Sequence, residues 1–447
     1  MRTVKTIVAI ATIAAVCLTA RNLSAQTPDS TARRQQRTLD SLTSIVRDMH
    51  ARLDSLARAS AEMAVGASPA AAQPVRSGGS YMNIGFDGLV DGGWSTQPDI
   101  SKLQTGDHDP LVRGFTVPNA EMALDAVVDP YFKGFTNLVF KLDKNGETGV
   151  ELEEMFFLTT SLPGNFQLKG GQFFTEFGRQ NPQHPHSWSF VDQPLVLGRM
   201  FGAEGLRSQG ARLSWLFPTS WYTEAMVSVL NSAGGTTASF RSDESAAIHL
   251  GAPFAREVSG LKDLLVVPRL AASVDLTETT TLLAGVSAAF GPNNSGPNAS
   301  TQVYGADVFW KWKSLTAAQG FPFVSVQTEA LMRRYQAALR VGAEDLSVTL
   351  PAETLRDQGI YSQILWGIKP RLVAGLRGDL VSADPAAFDA ESRADRTRIS
   401  PNVTWYPTEF SKLRFQYNYD DRKGFGRDHS LWLQFEFIMG AHAAHKF

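Results

Sequence analysis

From Tyr81 to the C-terminus, apolar and polar residues alternate one by one. In the stretch KLRFQYNYD, Leu413, Phe415, Tyr417 and Tyr419 share one face, while Lys412, Arg414, Gln416 and Asn418 share the other. Val324, Val326, Thr328 and Ala330 oppose Ser325, Gln327 and Glu329 in the same way, and Leu433, Phe435 and Phe437 oppose Gln434 and Glu436. A period of two is the pattern of a strand with two unlike faces. Segments of about 9–12 residues with aromatics near their ends fit a tilted strand that crosses a bilayer. About sixteen such segments can be counted, an even number as bacterial barrels require. The expected fold is all-β, a transmembrane antiparallel β-barrel of about 16 strands over residues 81–447.

The connections carry a second signal. Long segments at residues 95–115, 178–207 and 231–262 alternate with tight turns at Asp129-Pro130, Pro163-Gly164, Pro218-Thr219, Lys369-Pro370 and Pro407-Thr408. Short turns on one side of the membrane and longer loops on the other are what such a barrel shows. With the short loop Lys144-Asn145-Gly146 as the second on the same side, the segment 178–207, which contains NPQHPHSWSFVDQPL, is the third external loop. Its prolines and aromatics suit a stiff constriction folded into the channel.

Ahead of the strands the period changes. Leu39, Leu42, Val46, Met49, Leu53, Leu56 and Met63 fall at steps of three and four, with only Ser60 breaking the run, an a/d seam over residues 29–64. The reading is a short α-helical coiled coil in the periplasm, with a single amphipathic helix as the alternative. Residues 65–80, rich in Ala, Pro, Gly and Ser, read as a flexible linker. Residues 1–25, with Arg2, Lys5, an apolar run and Leu23-Ser24-Ala25, have the layout of a signal peptide. The chain is therefore expected to be exported to a Gram-negative outer membrane. Its one cysteine, Cys17, lies inside that signal, which removes disulfides and cysteine-ligated metals from the mature chain.

The segment NFQLKGGQFFTEFGRQ, Asn165 to Gln180, together with the heptad region, linker and barrel, resembles the phosphate-selective porin O/P family. That resemblance implies a water-filled channel for small hydrophilic or anionic solutes, with phosphate preference, and a homotrimer in outer-membrane lipid. NPQHPHSW and the terminal GAHAAHKF are similar to plugless barrels labelled zinc-regulated TonB-dependent receptors, which implies metal uptake instead. The chain is too short for the 22 strands and globular plug of true receptors of that kind. A structural tether without conduction is a third reading.

Charge leaves ion preference open. Residues 81–447 hold 32 Lys and Arg against 39 Asp and Glu, about seven more acidic than basic. Anion preference needs a local run of basic groups in the pore. The candidates are Lys169, Arg179, Arg199, Arg207, Arg212, Lys311 and Lys313, with His184 and His186 as titratable members that would change charge near pH 6.5. His184, His186 and Asp192 are also a candidate zinc set, since imidazole and carboxylate suit that ion. No cofactor is otherwise expected, and no nucleic-acid partner. Ser187 and Ser189 lie near histidines but in no Gly-x-Ser-x-Gly elbow, so no catalysis is expected.

Overall fold

A computed structural model describes residues 75–77 and 80–440, apart from 104–105, 144 and 256. The expected signal peptide, the heptad segment and most of the linker lie outside the described residues. Within the expected linker, Val75–Ser77 form a short strand against residues 80–82.

Sixteen strands close into one antiparallel barrel. They are β1 (Ser80–Ser95), β2 (Gly114–Val127), β3 (Phe132–Leu142), β4 (Thr148–Thr159), β5 (Phe166–Phe174), β6 (Arg207–Leu216), β7 (Tyr222–Asn231) and β8 (Leu264–Thr277). The series continues with β9 (Thr280–Pro292), β10 (Ser300–Ala318), β11 (Phe321–Ala337), β12 (Glu353–Lys369), β13 (Leu372–Ala383), β14 (Arg396–Thr408), β15 (Ser411–Arg422) and β16 (Gly426–Gly440). Each strand pairs with the next, and β16 returns to β1 from Ser430↔Ser95 to Gly440↔Gly85. Among the described residues, none of these sixteen strands is left at an open edge of the barrel, which is the condition for strands to lie in hydrocarbon.

Burial is inverted relative to a water-soluble protein. Along β15, Phe415 is 52% exposed while Arg414 beside it is 1% exposed. The same alternation puts Leu376, Leu380, Ile399, Val403 and Leu433 outside, and Arg377, Asp379, Arg398, Ser400 and Gln434 inside. An apolar exterior over a polar interior fits hydrocarbon as the outer solvent. Exposed Tyr131, Phe166, Trp221, Trp366, Trp405 and Phe410 sit at the ends of strands beside the short turns, where an aromatic girdle belongs. Among the described residues, no helix is long and apolar enough to cross a membrane.

The short turns at residues 128–131, 160–165, 217–221, 278–279, 319–320, 370–371 and 409–410 all lie at one end of the barrel. The start of β1 lies at that end too. The third connection at the opposite end, residues 175–206, joins β5 to β6 as expected and carries the helix α1 (Leu195–Phe201).

Candidate functional site

The 175–206 segment folds into the barrel and spans it. Phe177, Val196, Leu197, Met200 and Phe201 are buried with Val267, Val303, Leu331, Tyr361 and Val381, inward-facing residues of the wall. These apolar positions break the polar phase of the lumen where α1 docks. Burying a Leu or Phe side chain contributes about 1.5–3 kcal/mol each, so α1 is anchored by its apolar face. Gly178, at φ +65°, lets the chain pass against the Glu329 carboxylate, a place where a Cβ would collide. Glu329 then accepts from the backbone N–H groups of Arg179 (3.2 Å) and Gln180 (2.8 Å).

Toward β11–β15 the wall is basic and holds the loop by its carbonyl groups. Lys412 donates to His186 O (2.6 Å), Arg414 to Trp188 O (2.7 Å), Asn402 to Ser189 O (2.8 Å), Arg377 to Asp192 O (2.8 Å) and Arg333 to Arg199 O (2.9 Å). The Asp192 carboxylate lies between Arg377 and Arg398, both at 2.7 Å, and also accepts from Gln416 and Asn418, both at 2.9 Å. Burial alone would raise its pKa, but the two guanidiniums win and hold it at about 2.

Toward β1–β4 the wall is acidic. A β-bulge in β4 pairs Asn137 with Glu154 and Leu138 with Leu152, leaving Glu153 as the extra residue. Two consecutive carboxylates, Glu153 and Glu154, are thereby buried on the lumen side together with Asp87 and Glu121. His184 Nδ1 is 2.8 Å from Glu153 Oε2 and 3.5 Å from Glu121 Oε2, and its Nε2 is 2.9 Å from Glu154 Oε2. His186 Nδ1 is 3.3 Å from both Asp87 Oδ2 and Glu121 Oε2. The two imidazoles stack with centroids 5.8 Å apart. His108, from the first long loop, approaches Glu153 at 3.5 Å.

Burial by itself would lower the histidine pKa values, yet the carboxylates outweigh it. His108 and His186 are pushed up to about 9, and His184 well above its ordinary value. The charge change expected near pH 6.5 is therefore displaced upward, because each ring faces buried acid rather than open water.

The remaining candidates separate into two groups. Lys169 (2.7 Å) and Arg212 share Glu176, and Arg207 pairs with Glu151 and Glu204, so these three are tied into local ion pairs. Arg199, on α1, lies 3.6 Å from Asp357. Lys313 is exposed and lines neither main cavity. Arg179 sits over the Phe309 ring at 4.0 Å and Lys311 over Phe323 at 5.1 Å. Among the described residues neither makes an ion pair. Asp192 does not join His184 and His186, because its oxygens are occupied by Arg377 and Arg398. The histidines meet Asp87, Glu121, Glu153 and Glu154 instead. Of these only Glu153 was legible as a lumen-facing acid from strand phase, and the bulge that adds Glu154 leaves no mark in the period-two pattern.

Two cavities flank the loop. One of about 450 Å³ is lined by Arg179, His186, Lys311 and Lys412 with neutral residues, and no carboxylate. The other, about 260 Å³, has Arg199, Arg333, Arg396 and Arg398 against Asp109 and Glu244.

These features define a sixteen-stranded transmembrane barrel whose charged lumen is crossed by an inward-folded loop. The chain belongs to one family with an uncharacterized protein of Aquifex aeolicus (strain VF5), to which it is 30% identical over 358 residues, covering 75% of this chain and 70% of that one. No family model matches the sequence. Among solved structures it is similar to the outer membrane channel DcaP of Acinetobacter baumannii (TM-score 0.49, 13% identity, 81% of this chain and 98% of that one). It is also similar to an anion-selective porin from Comamonas acidovorans (TM-score 0.48, 7% identity, 80% and 100%) and to OmpT of Vibrio cholerae (TM-score 0.48, 11% identity, 82% and 100%).

Proposed function

We propose that the protein is an outer-membrane porin, a channel for passive diffusion of small hydrophilic solutes that prefers inorganic anions, phosphate among them. The 175–206 loop is its constriction. The observation that carries this reading is the 450 Å³ cavity, whose charged lining is wholly basic although the barrel carries an excess of acid. Most of the buried acids are held on the wall beside β1–β4 or in pairs with arginine, as at Asp192, Asp307, Asp357, Asp379 and Asp420. Arg179 and Lys311 make no direct ion pair among the described residues, and low-dielectric walls concentrate the field of such groups on a passing ion.

The test is a single-channel recording in planar bilayers under a KCl gradient. The reversal potential is expected on the anion side, and a double variant, Arg179→Gln with Lys311→Ala, is expected to move it toward cations. A cation-selective parent channel would overturn the anion reading, and the absence of any conductance would favour a structural tether.

A further inference from the structure

We propose that the lumen wall and the inward loop together form a binding site for one divalent transition-metal ion, held by Asp87, Glu121 and His186. His184, Glu153 and Glu154 form the supporting set. The site differs from the zinc set read from sequence, since Asp192 has no part in it. It does not depend on whether the barrel conducts.

The geometry argues for a ligand rather than for ion pairing alone. Asp87 Oδ2, Glu121 Oε2 and His186 Nδ1 lie within 4.8 Å of one another, from three separate elements. His186 Nδ1 stands 3.3 Å from each of the two oxygens. Charge-assisted hydrogen bonds are shorter, at about 2.7–2.9 Å. A tetrahedral ion with bonds of about 2.0–2.2 Å keeps its ligand atoms about 3.3–3.5 Å apart. The two separations from His186 Nδ1 are those of a tetrahedron's edge.

The surroundings are those of a supported metal site. Ligating carboxylates are usually hydrogen-bonded themselves. Here Asn119 Nδ2 donates to Glu121 Oε1 (2.8 Å), and Asn137 Nδ2 donates to Glu121 Oε2 (3.2 Å) and Glu153 Oε2 (2.8 Å). Both amides are fully buried, and neither side-chain carbonyl oxygen has a partner. His184 is gripped at Nε2 by Glu154 (2.9 Å), the kind of carboxylate contact that orients an imidazole beside a metal. His186 also lines the 450 Å³ cavity, so an ion can arrive through the lumen. Mixed imidazole and carboxylate donors favour zinc and its neighbours over calcium or magnesium, which take oxygen alone.

The experiment is isothermal titration of zinc into the full-length protein folded in detergent, at neutral pH, with calcium as competitor. One ion per chain is expected, with calcium unable to displace it. Glu121→Gln and His186→Gln should each weaken binding at least about tenfold. A tail variant, His442→Gln with His445→Gln, should leave it unchanged. Heat-modified mobility on gels shows whether each variant is folded, and His186→Gln, a loop change, decides the matter if Glu121→Gln does not fold. No saturable zinc binding, displacement by equal calcium, or loss of binding with the tail histidines alone would each overturn the site. None of these readouts uses current, so the channel proposal stands or falls separately.

Discussion

Asp192 shows how much a single side chain holds in this lumen. It answers two arginines and two amides at once, and neutralising it would leave Arg377 and Arg398 facing each other without their shared counter-ion. Removing one partner of a buried pair typically costs about 3–5 kcal/mol. Asp192→Asn should therefore loosen the loop and appear as flickering current in single-channel traces. The sign of the pH effect is set by its depressed pKa. The contribution is fully present above the ordinary carboxylate value, near 4, and is lost as pH falls through about 2. The part of the loop's hold that Asp192 supplies should be lost only on approach to pH 2, whereas Asp109, which accepts from the Gln193 N–H and whose pKa is pushed up to about 6 by burial, loosens its own grip at milder acidity. A parent and an Asp192→Asn variant with the same current noise at pH 4 would contradict the assignment. Sequence reading reached Asp192 as a loop acid beside histidines. It could not see that residues 185 and 206 positions further along would claim it, because the pairing is made by barrel closure and not by local spacing.

At the scale of elements, the loop fits because the wall makes room for it. A Cβ on Gly305 of β10 would lie 2.6 Å from the Phe177 ring. Gly305→Val should push Phe177 from its seat, at a cost of about 1–3 kcal/mol for overpacking. Larger single-channel conductance with unchanged gel mobility of the folded barrel is expected; unchanged conductance would mean that the strap does not limit flow. The strands themselves were legible, since Leu413 to Tyr419 announce their two faces directly. The bulge at Glu153 was not. One inserted residue keeps every local propensity intact and alters only the parity of the residues after it, so the acidic cluster came into view only with the ladder. Likewise α1 was hidden, because Leu195–Phe201 reads equally well as an apolar run in an irregular loop.

For the whole molecule, charge is distributed by side and not by total. Acidic groups gather on β1–β4 and basic groups on β11–β15, so the net count read from composition misjudges what a solute meets. The alternation of turns and longer connections, in contrast, agreed with a count of about sixteen strands and located the third loop between strands five and six, because chain length between reversals is legible in the sequence. Assembly belongs to this scale as well. We propose a homotrimer, with the heptad residues Leu39 to Met63 supplying a symmetric association surface. Deleting residues 29–64 should shift the detergent-solubilised protein from trimer toward monomer in light scattering. A monomer with that segment intact would end the proposal.

The span of the loop's contacts also dictates an order of events during assembly. The Val191 N–H donates to Gln416, 225 residues later, and the Leu195 N–H to Asp379, 184 residues later. Contacts so distant in the chain are slow to form, since the intervening segment must first be brought together. Both ends of the strap continue directly into the neighbouring strands β5 and β6, so it folds inward as a hairpin from the mouth of the barrel. Its seat is complete only once Asp379 of β13 and Gln416 of β15 are in place, so the narrowing of the lumen is a late event that waits on the C-terminal half of the chain.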